Sequence, residues 1–409
     1  MNILYISYDG MTDPLGQSQV IPYLKYLSGC GHHITVLSAE KRQNFNRNAH
    51  TVSRLLNEKA ITWQYIRYSA RPPVFSTIWD VYKLKSKALK LHRHKTFDIV
   101  HCRSYIAALA GLYLKRKAKL KFVFDMRGFW ADERIDGGLW NLKNPVYKTI
   151  YTYFKNKEKE FIKSADYIVV LTEKARKIVA DWQIKISNAP VAVIPCCVDT
   201  ELFSPQSVNA DKISEKQRQL GIQASWKIIT YLGSLGTWYM PDEMMAFYKM
   251  LQQQKPEYRF MFITYDEPSA VYKLAAKQGV APDRLIIVKA SREEVPLLLS
   301  ITDIALFFIK PVFSKKASSP TKQAELMSMG VPVICNDGIG DTTEIILQNK
   351  AGAVIMNFTP EAYTGIINAV DKLCELNKEH IRNAAERYFS LEKGGEIYNK
   401  IYMHLKDVK

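Results

Sequence analysis

Short apolar runs alternate with segments of helical periodicity from one end of this chain to the other, and that alternation leaves few folds open. Runs at 3–8, 33–38, 99–101, 122–125, 167–171 and 191–194 are continuously apolar or nearly so. This is the pattern of strands buried on both faces of a parallel sheet. A second series follows at 228–232, 258–264, 285–288, 304–308, 332–335 and 353–355, again separated by helical stretches. The order predicts an α/β protein of two Rossmann-like, doubly wound domains. The polar stretch 195–221, which carries Pro205, reads as the linker and approach to the second of them. A chain of 409 residues with 47% hydrophobic side chains can supply two separate cores. Boundaries are expected at 1–200 and 201–390, with 391–409 forming a terminal helix.

Charge is distributed unevenly over this frame. Residues 1–200 hold 32 Lys and Arg against 16 Asp and Glu, a net of +16 out of the total of +17. The runs 83–95 and 115–121 set cations beside apolar residues at near-helical spacing. An anionic membrane surface attracts such a pattern by about 1 kcal/mol per basic residue near the bilayer; a solvated basic face has the same composition. No nucleic-acid-binding module or aromatic stacking pattern accompanies the charge, so nucleic acid is not expected as a partner. No stretch approaches the roughly 18 apolar residues of a membrane span, and the first strand starts too early to leave room for a signal peptide. The expected location is cytoplasmic, peripheral on the inner face of the cytoplasmic membrane. Six cysteines, at 30, 102, 196, 197, 335 and 374, have no metal-ligand spacing, and adjacent Cys196 and Cys197 suit a mutual disulfide poorly. Free thiols and no bound metal are expected.

The segment 318–337 carries the chemistry. Ser319 can cap a helix, Pro320 fits the first helical position, and Thr321 continues it. The helix would then point unpaired N–H groups and the positive end of its dipole at whatever lies in front, most often a phosphate. Lys322 and Glu325, three residues apart, share a face: a cation for phosphates and a carboxylate that can accept hydroxyl protons. That pairing suits a diphosphate beside a ribose. An ordinary capped amphipathic helix with an i,i+3 ion pair has the same spacing.

Together with Gly338, Gly340, Asp341, Thr343 and Glu344, this segment resembles the donor-binding signature of glycosyltransferase family 4, the retaining, metal-independent enzymes of the GT-B fold. Asn2 to Ser7 followed by Gly16, Gln17, Ser18 and Gln19 resembles that family's first strand and glycine loop, and Gly31-His32-His33-Ile34-Thr35-Val36 its second strand. The segments 97–101, 165–172 and 193–203 stand in the family's order. The resemblance implies two domains facing a central cleft, with the terminal helix packing back on the first. It implies a nucleotide-sugar donor, UDP being the expected carrier, held by the second domain with help from Gly16 and Gln17. It also implies a lipid-linked or glycan acceptor on the first. Gly233 and Ser234 lead into the stretch where the family clasps the diphosphate with an Arg and, a few residues on, a Lys; here Ser234 stands in the arginine's place and Thr237, Trp238 and Tyr239 replace the basic stretch, so both basic residues are missing. The first of the family's paired glutamates falls on Ala317 and is missing too, while Glu325 matches the second. Lys322, supported by Lys310, Lys315 or Lys316, is expected to supply the cation instead, in the manner of family variants with a Ser-Pro-Thr-Lys donor loop. In the first domain Arg103 stands where relatives often place a histidine beside the donor sugar. Asp125 could orient or deprotonate the acceptor hydroxyl and Arg127 could hold an acceptor phosphate; ion pairing among these charges is the structural alternative.

The resemblance leaves three classes to separate. The expected one is a retaining, metal-independent transferase without cofactor, serving cell-surface glycan assembly. A catalytically degenerate scaffold that kept the fold would bind donor without hydrolysing it. A sugar epimerase would need carboxylates placed for nucleotide elimination and addition.

Overall fold

The computed structural model describes residues 1–182, 184 and 189–407. They form two compact units, Met1–Pro195 with Leu391–Lys409, and Cys196–Ser390. The first contains a seven-stranded sheet of β1 (Asn2–Ser7), β2 (His33–Glu40), β3 (Thr62–Arg67), β4 (Ile99–Arg103), β5 (Lys121–Asp125), β6 (Tyr167–Val170) and β7 (Val191–Val193). Their order is β3-β2-β1-β4-β5-β6-β7, all pairs parallel. Ile3 in β1 lies between Ile34 and Ile99, so the middle of the sheet is aliphatic on both sides of the strand. The second unit holds β8 (Lys227–Leu232), β9 (Tyr258–Ile263), β10 (Leu285–Val288), β11 (Ile304–Phe307), β12 (Val333–Asn336) and β13 (Gly352–Ile355). Their order is β10-β9-β8-β11-β12-β13, again parallel throughout.

Both sheets therefore start in the middle, wind outward to one edge, and return to wind outward to the other. The connections diverge at one point in each, between β1 and β4 and between β8 and β11, leaving a crevice beyond the strands' carboxyl ends. β3 is the one strand not anticipated from sequence. Only Ile66 of its six residues is buried, so it shows no apolar run.

The stretch 195–221 is not a linker. Phe203 is buried in the second unit's core, and helix Ala210–Gln219 belongs to the same unit. The Arg382 guanidinium holds the carbonyls of Thr200, Phe203 and Ser328 at 2.9, 2.9 and 2.7 Å, tying this segment to its neighbours. Val198 pairs with Ser390, its N–H donating to the Phe389 carbonyl.

Helix Leu391–Asp407 belongs to the first unit. Its buried residues, Gly394, Gly395, Tyr398, Ile401, Tyr402 and Leu405, recur at three and four positions and make one face. A Cβ on Gly395 would meet the Tyr26 ring at 2.4 Å, so glycine there permits the close approach to helix Ile21–Gly29. Among the described residues no helix is long and apolar enough to cross a membrane.

Candidate functional site

In the second unit, the loops that leave β8 and β11 meet at the crevice. β8 is followed directly by Gly233, whose φ of +116° few side-chain-bearing residues adopt. A Cβ there would stand 3.1 Å from Lys322 Nζ, so glycine opens the space the lysine occupies. Asp266 accepts from Leu235 N–H and from the Thr264 hydroxyl, while the Tyr231 hydroxyl donates to the Ser234 carbonyl. These bonds hold the turn in place. On the other side, Asn336 receives Ile309 N–H at 2.8 Å and donates to the Ile309 carbonyl at 2.9 Å, fixing the loop that starts with Lys310. Lys310 itself is exposed, its N–H given to the Trp238 carbonyl.

Lys322 lies in the first turn of helix Thr321–Ser328 and is only 6% exposed. Its ammonium stands 3.6 Å from the centre of the Tyr239 ring and 4.1 Å from that of Tyr231. Aromatic faces attract a cation but do not replace hydrogen-bond acceptors, and among the described residues Nζ has none. Burial therefore drives the Lys322 pKa well below the ordinary lysine value, with Glu325 opposing only in part. A buried ammonium lacking an acceptor is costly unless an anion comes to it. Lys315 rests on a second aromatic face, 3.7 Å from the centre of Trp238. Glu325 is buried as well and takes a 2.8 Å hydrogen bond from Arg292. Burial raises its pKa against the pull of Arg292.

Ser319 does not cap the helix. Pro320 occupies the N-cap position without a side-chain hydrogen bond, and Ser319 Oγ instead accepts Cys196 N–H at 3.1 Å. Thr321 begins the helix, and Gln323 in its first turn accepts from Thr342, joining the helix to the loop beyond β12. Ala317 is buried in the short helical turn Phe313–Ala317, at the position where a family glutamate was expected. The sequence reading omitted Arg292 and the ring pair Tyr231 and Tyr239 as parts of one site, since no local spacing connects them to Lys322.

The first unit gathers its charges at the carboxyl ends of β4 and β5. Arg103, at the end of β4, is buried with Nε 3.7 Å from Asp9 Oδ2. Asp125, at the end of β5, is fully buried. It accepts from the Tyr398 hydroxyl at 2.9 Å and lies 3.5 Å from His101 Nε2 and 3.9 Å from Arg127 Nε. The Tyr402 hydroxyl reaches His101 Nδ1 at 2.7 Å. Burial pushes the Asp125 carboxyl up, yet Arg127, with His101 and Arg103, outweighs it and holds the carboxyl below its ordinary 3.8. His101 is lowered, chiefly by burial. Asp125 has no exposed surface; Oδ2 is taken by Tyr398, and Oδ1, 3.9 Å from Arg127 Nε, has no hydrogen-bond partner among the described residues, so the carboxylate lies in a buried network and not on an open face. Arg127 beside it has an unusual φ of +55°.

Gly16 and Gln17 are likewise engaged locally. Gly16 lies inside helix Pro14–Gln19 and not in an open loop; a Cβ on it would stand 2.1 Å from the Gly10 carbonyl. Gln17 donates to the Thr12 carbonyl at 3.1 Å. The glycine serves backbone packing, and neither residue presents a free phosphate-binding loop.

Two doubly wound sheets, the second with a lysine-bearing crevice at its switch point, make up the GT-B fold. Residues 19–202 match the model of Glycosyltransferase Family 4 and residues 212–387 that of Glycosyl transferases group 1; together these take in most of the chain, which belongs to the family-4 type of GT-B glycosyltransferases. A D-inositol 3-phosphate glycosyltransferase of Corynebacterium aurimucosum is 21% identical over 249 residues, 58% of this chain and 55% of that protein. The chain thus matches about half the length of that relative. Among solved structures, sucrose-phosphate synthase of Thermosynechococcus elongatus superposes with a TM-score of 0.74 at 15% identity, over 100% of both chains. HepE of Anabaena, in complex with UDP-glucose, gives 0.70 at 14% identity over 99% of this chain and 100% of that one. At these identities the likeness is one of fold.

Proposed function

We propose that this glycosyltransferase transfers a sugar, with retention, from a nucleoside diphosphate donor to a lipid-linked or polysaccharide acceptor of the cell surface. The observation that carries the reading is the Lys322 ammonium, buried over two tyrosine faces at the switch point with no hydrogen-bond acceptor among the described residues. A diphosphate supplies the missing anion. UDP is the expected carrier, in keeping with the UDP-glucose bound by HepE, and a donor loop of the Ser-Pro-Thr-Lys type accounts for the absent family clasp. Glu325, held by Arg292, is assigned to the ribose hydroxyls, and Gly233 and Ser234 to the diphosphate. The bond from the anomeric carbon to the phosphate oxygen breaks as the acceptor oxygen bonds to that carbon on the same face, and the acceptor proton passes to the departing phosphate. Charge on that phosphate must be met by groups fixed in advance. Arg103 and Arg127 are assigned to an anionic acceptor in the first unit, whose net charge also suits the cytoplasmic face of an anionic membrane.

Thermal unfolding with UDP, GDP, ADP and dTDP, each with and without its sugars, tests the donor assignment. One nucleotide should raise the midpoint selectively in the wild type and much less in Lys322→Ala; no shift with any of the nucleotides would remove the assignment. Because a lysine supplies the cation, turnover is expected to be unchanged by EDTA. Loss of activity restored by a divalent ion would show instead that a metal neutralises the leaving group.

A further inference from the structure

Helix Phe75–His94 of the first unit leaves a face of large apolar side chains in solvent. Phe75, Ile78, Trp79 and Tyr82 are 72, 61, 55 and 60% exposed, and their spacing of three, four and seven places them on one side of the helix. Single exposed apolar residues are ordinary on a protein surface; four on one stripe are not. Trp79 and Tyr82 stack with ring centres 5.3 Å apart, which joins them into one aromatic surface. The same face continues towards the helix C-terminus with the exposed Lys90 and Arg93, while Lys85 is half-buried with its ammonium over the Tyr113 ring. The helix has one acidic residue, Asp80, and it is turned away from this face: it is fully buried and engages the Tyr8 hydroxyl, Ser69 N–H and Lys83.

The other lysines of the helix have a different task. Lys83 donates to the Arg67 carbonyl and Lys87 to the Tyr65 carbonyl, so they fasten the helix to β3. In the second basic run, Lys115 pairs with Asp166 and Arg116 with Glu160. Some basic residues of both runs are thus internal ties, while Lys90 and Arg93 stand exposed beside the aromatic stripe.

We infer that the Phe75–Tyr82 face is a membrane-docking surface, its apolar side chains entering the headgroup boundary of an anionic bilayer while Lys90 and Arg93 meet lipid phosphates. An interfacial helix with aromatic and aliphatic residues on the inserting side and cations beside them binds in this way. Trp and Tyr suit the headgroup level because one end of each ring is apolar and the other polar. The inference rests on the reading of the first unit as facing an anionic membrane and adds to it the site and the mode of binding. It commits to lipid over a second copy of the chain because the face carries cations and no carboxylate that could pair with them across a twofold axis.

The test is co-sedimentation of the full-length protein with vesicles of phosphatidylcholine mixed with phosphatidylglycerol, and with phosphatidylcholine alone. Wild type should bind the mixed vesicles. Phe75→Ser with Ile78→Ser should lower the partition coefficient about tenfold or more at every salt concentration. Lys90→Gln with Arg93→Gln should lower it at low salt and matter less as salt rises. All the substituted residues are on the surface, and an unchanged thermal shift with nucleotide would show each variant folded. If the charge variant loses binding while the Phe75/Ile78 variant keeps it, the membrane reading stands and this docking face is overturned. Absence of vesicle binding by the wild type overturns both. A concentration-dependent dimer in size-exclusion chromatography that the Phe75/Ile78 variant abolishes, without vesicle binding, would assign the face to a second copy of the chain instead.

Discussion

Lys322→Ala is expected to lower turnover by about 10²–10³-fold, the loss seen when one preorganised group facing developing charge is removed. The ammonium sits between the Tyr231 and Tyr239 rings in a space kept open by Gly233, so it is held in place before any ligand arrives. Charge on the departing diphosphate is greatest in the transition state, so kcat should fall more than donor affinity. Burial lowers the lysine pKa well below 10.5 in the free protein, and a bound diphosphate raises it again. Between those two values, nucleotide binding must draw in a proton, and affinity must weaken as the pH rises through the higher one. Calorimetric titration with the nucleoside diphosphate in buffers of differing ionisation enthalpy should show uptake approaching about one proton per ligand in the wild type and none through this group in Lys322→Ala. A variant with unchanged kcat and weakened binding would make Lys322 a ground-state anchor. Zero uptake across the pH range would mean the ammonium is already charged over the rings.

Twelve strands were legible because each reads as a short apolar run, most plainly in the central strands such as β9, all six of whose residues are buried. β3 escaped because an edge strand with one buried residue leaves no such run. Within the site, Lys322, Glu325 and Gly233 were legible because helix spacing and the end of a strand are local facts. Tyr231 and Tyr239 are brought to Lys322, and Arg292 to Glu325, only by the fold, so their roles have no trace in local spacing. Gly16 shows the opposite limit: a glycine looks the same in sequence whether it admits a phosphate or a neighbouring carbonyl, and here it admits the Gly10 carbonyl. Asp125 reads as a strand-end carboxylate open to a ligand until the terminal helix, far away in sequence, delivers Tyr398 to it and Tyr402 to its neighbour His101.

Asp125→Ala is therefore expected to act on stability first, lowering that of the first unit by about 1–3 kcal/mol, because it strips the buried Tyr398 hydroxyl of its acceptor and takes a carboxylate from beside Arg127. Hydrogen exchange followed by peptide should show the loss in β4, β5 and helix Leu391–Asp407, with the second unit's exchange unchanged. A general base would behave differently, giving a normally stable variant with lost turnover. The same network sets a pH dependence. Native His101 stays neutral below its unfolded value near 6.5, so the unfolded chain binds the extra proton as the pH falls from there. Stability from this group is complete above about 6.5 and declines on the acid side until the lower native value is passed. Asp125 adds a second decline only below its ordinary 3.8, as the pH falls through its depressed native value. Midpoints of unfolding measured from neutral pH downward should thus begin to fall well before carboxylates titrate, and His101→Asn should flatten that first slope. A wild-type profile level between pH 6.5 and the carboxylate range would mean that the imidazole carries its proton in the native state and that Asp125 holds a charged, not a neutral, partner.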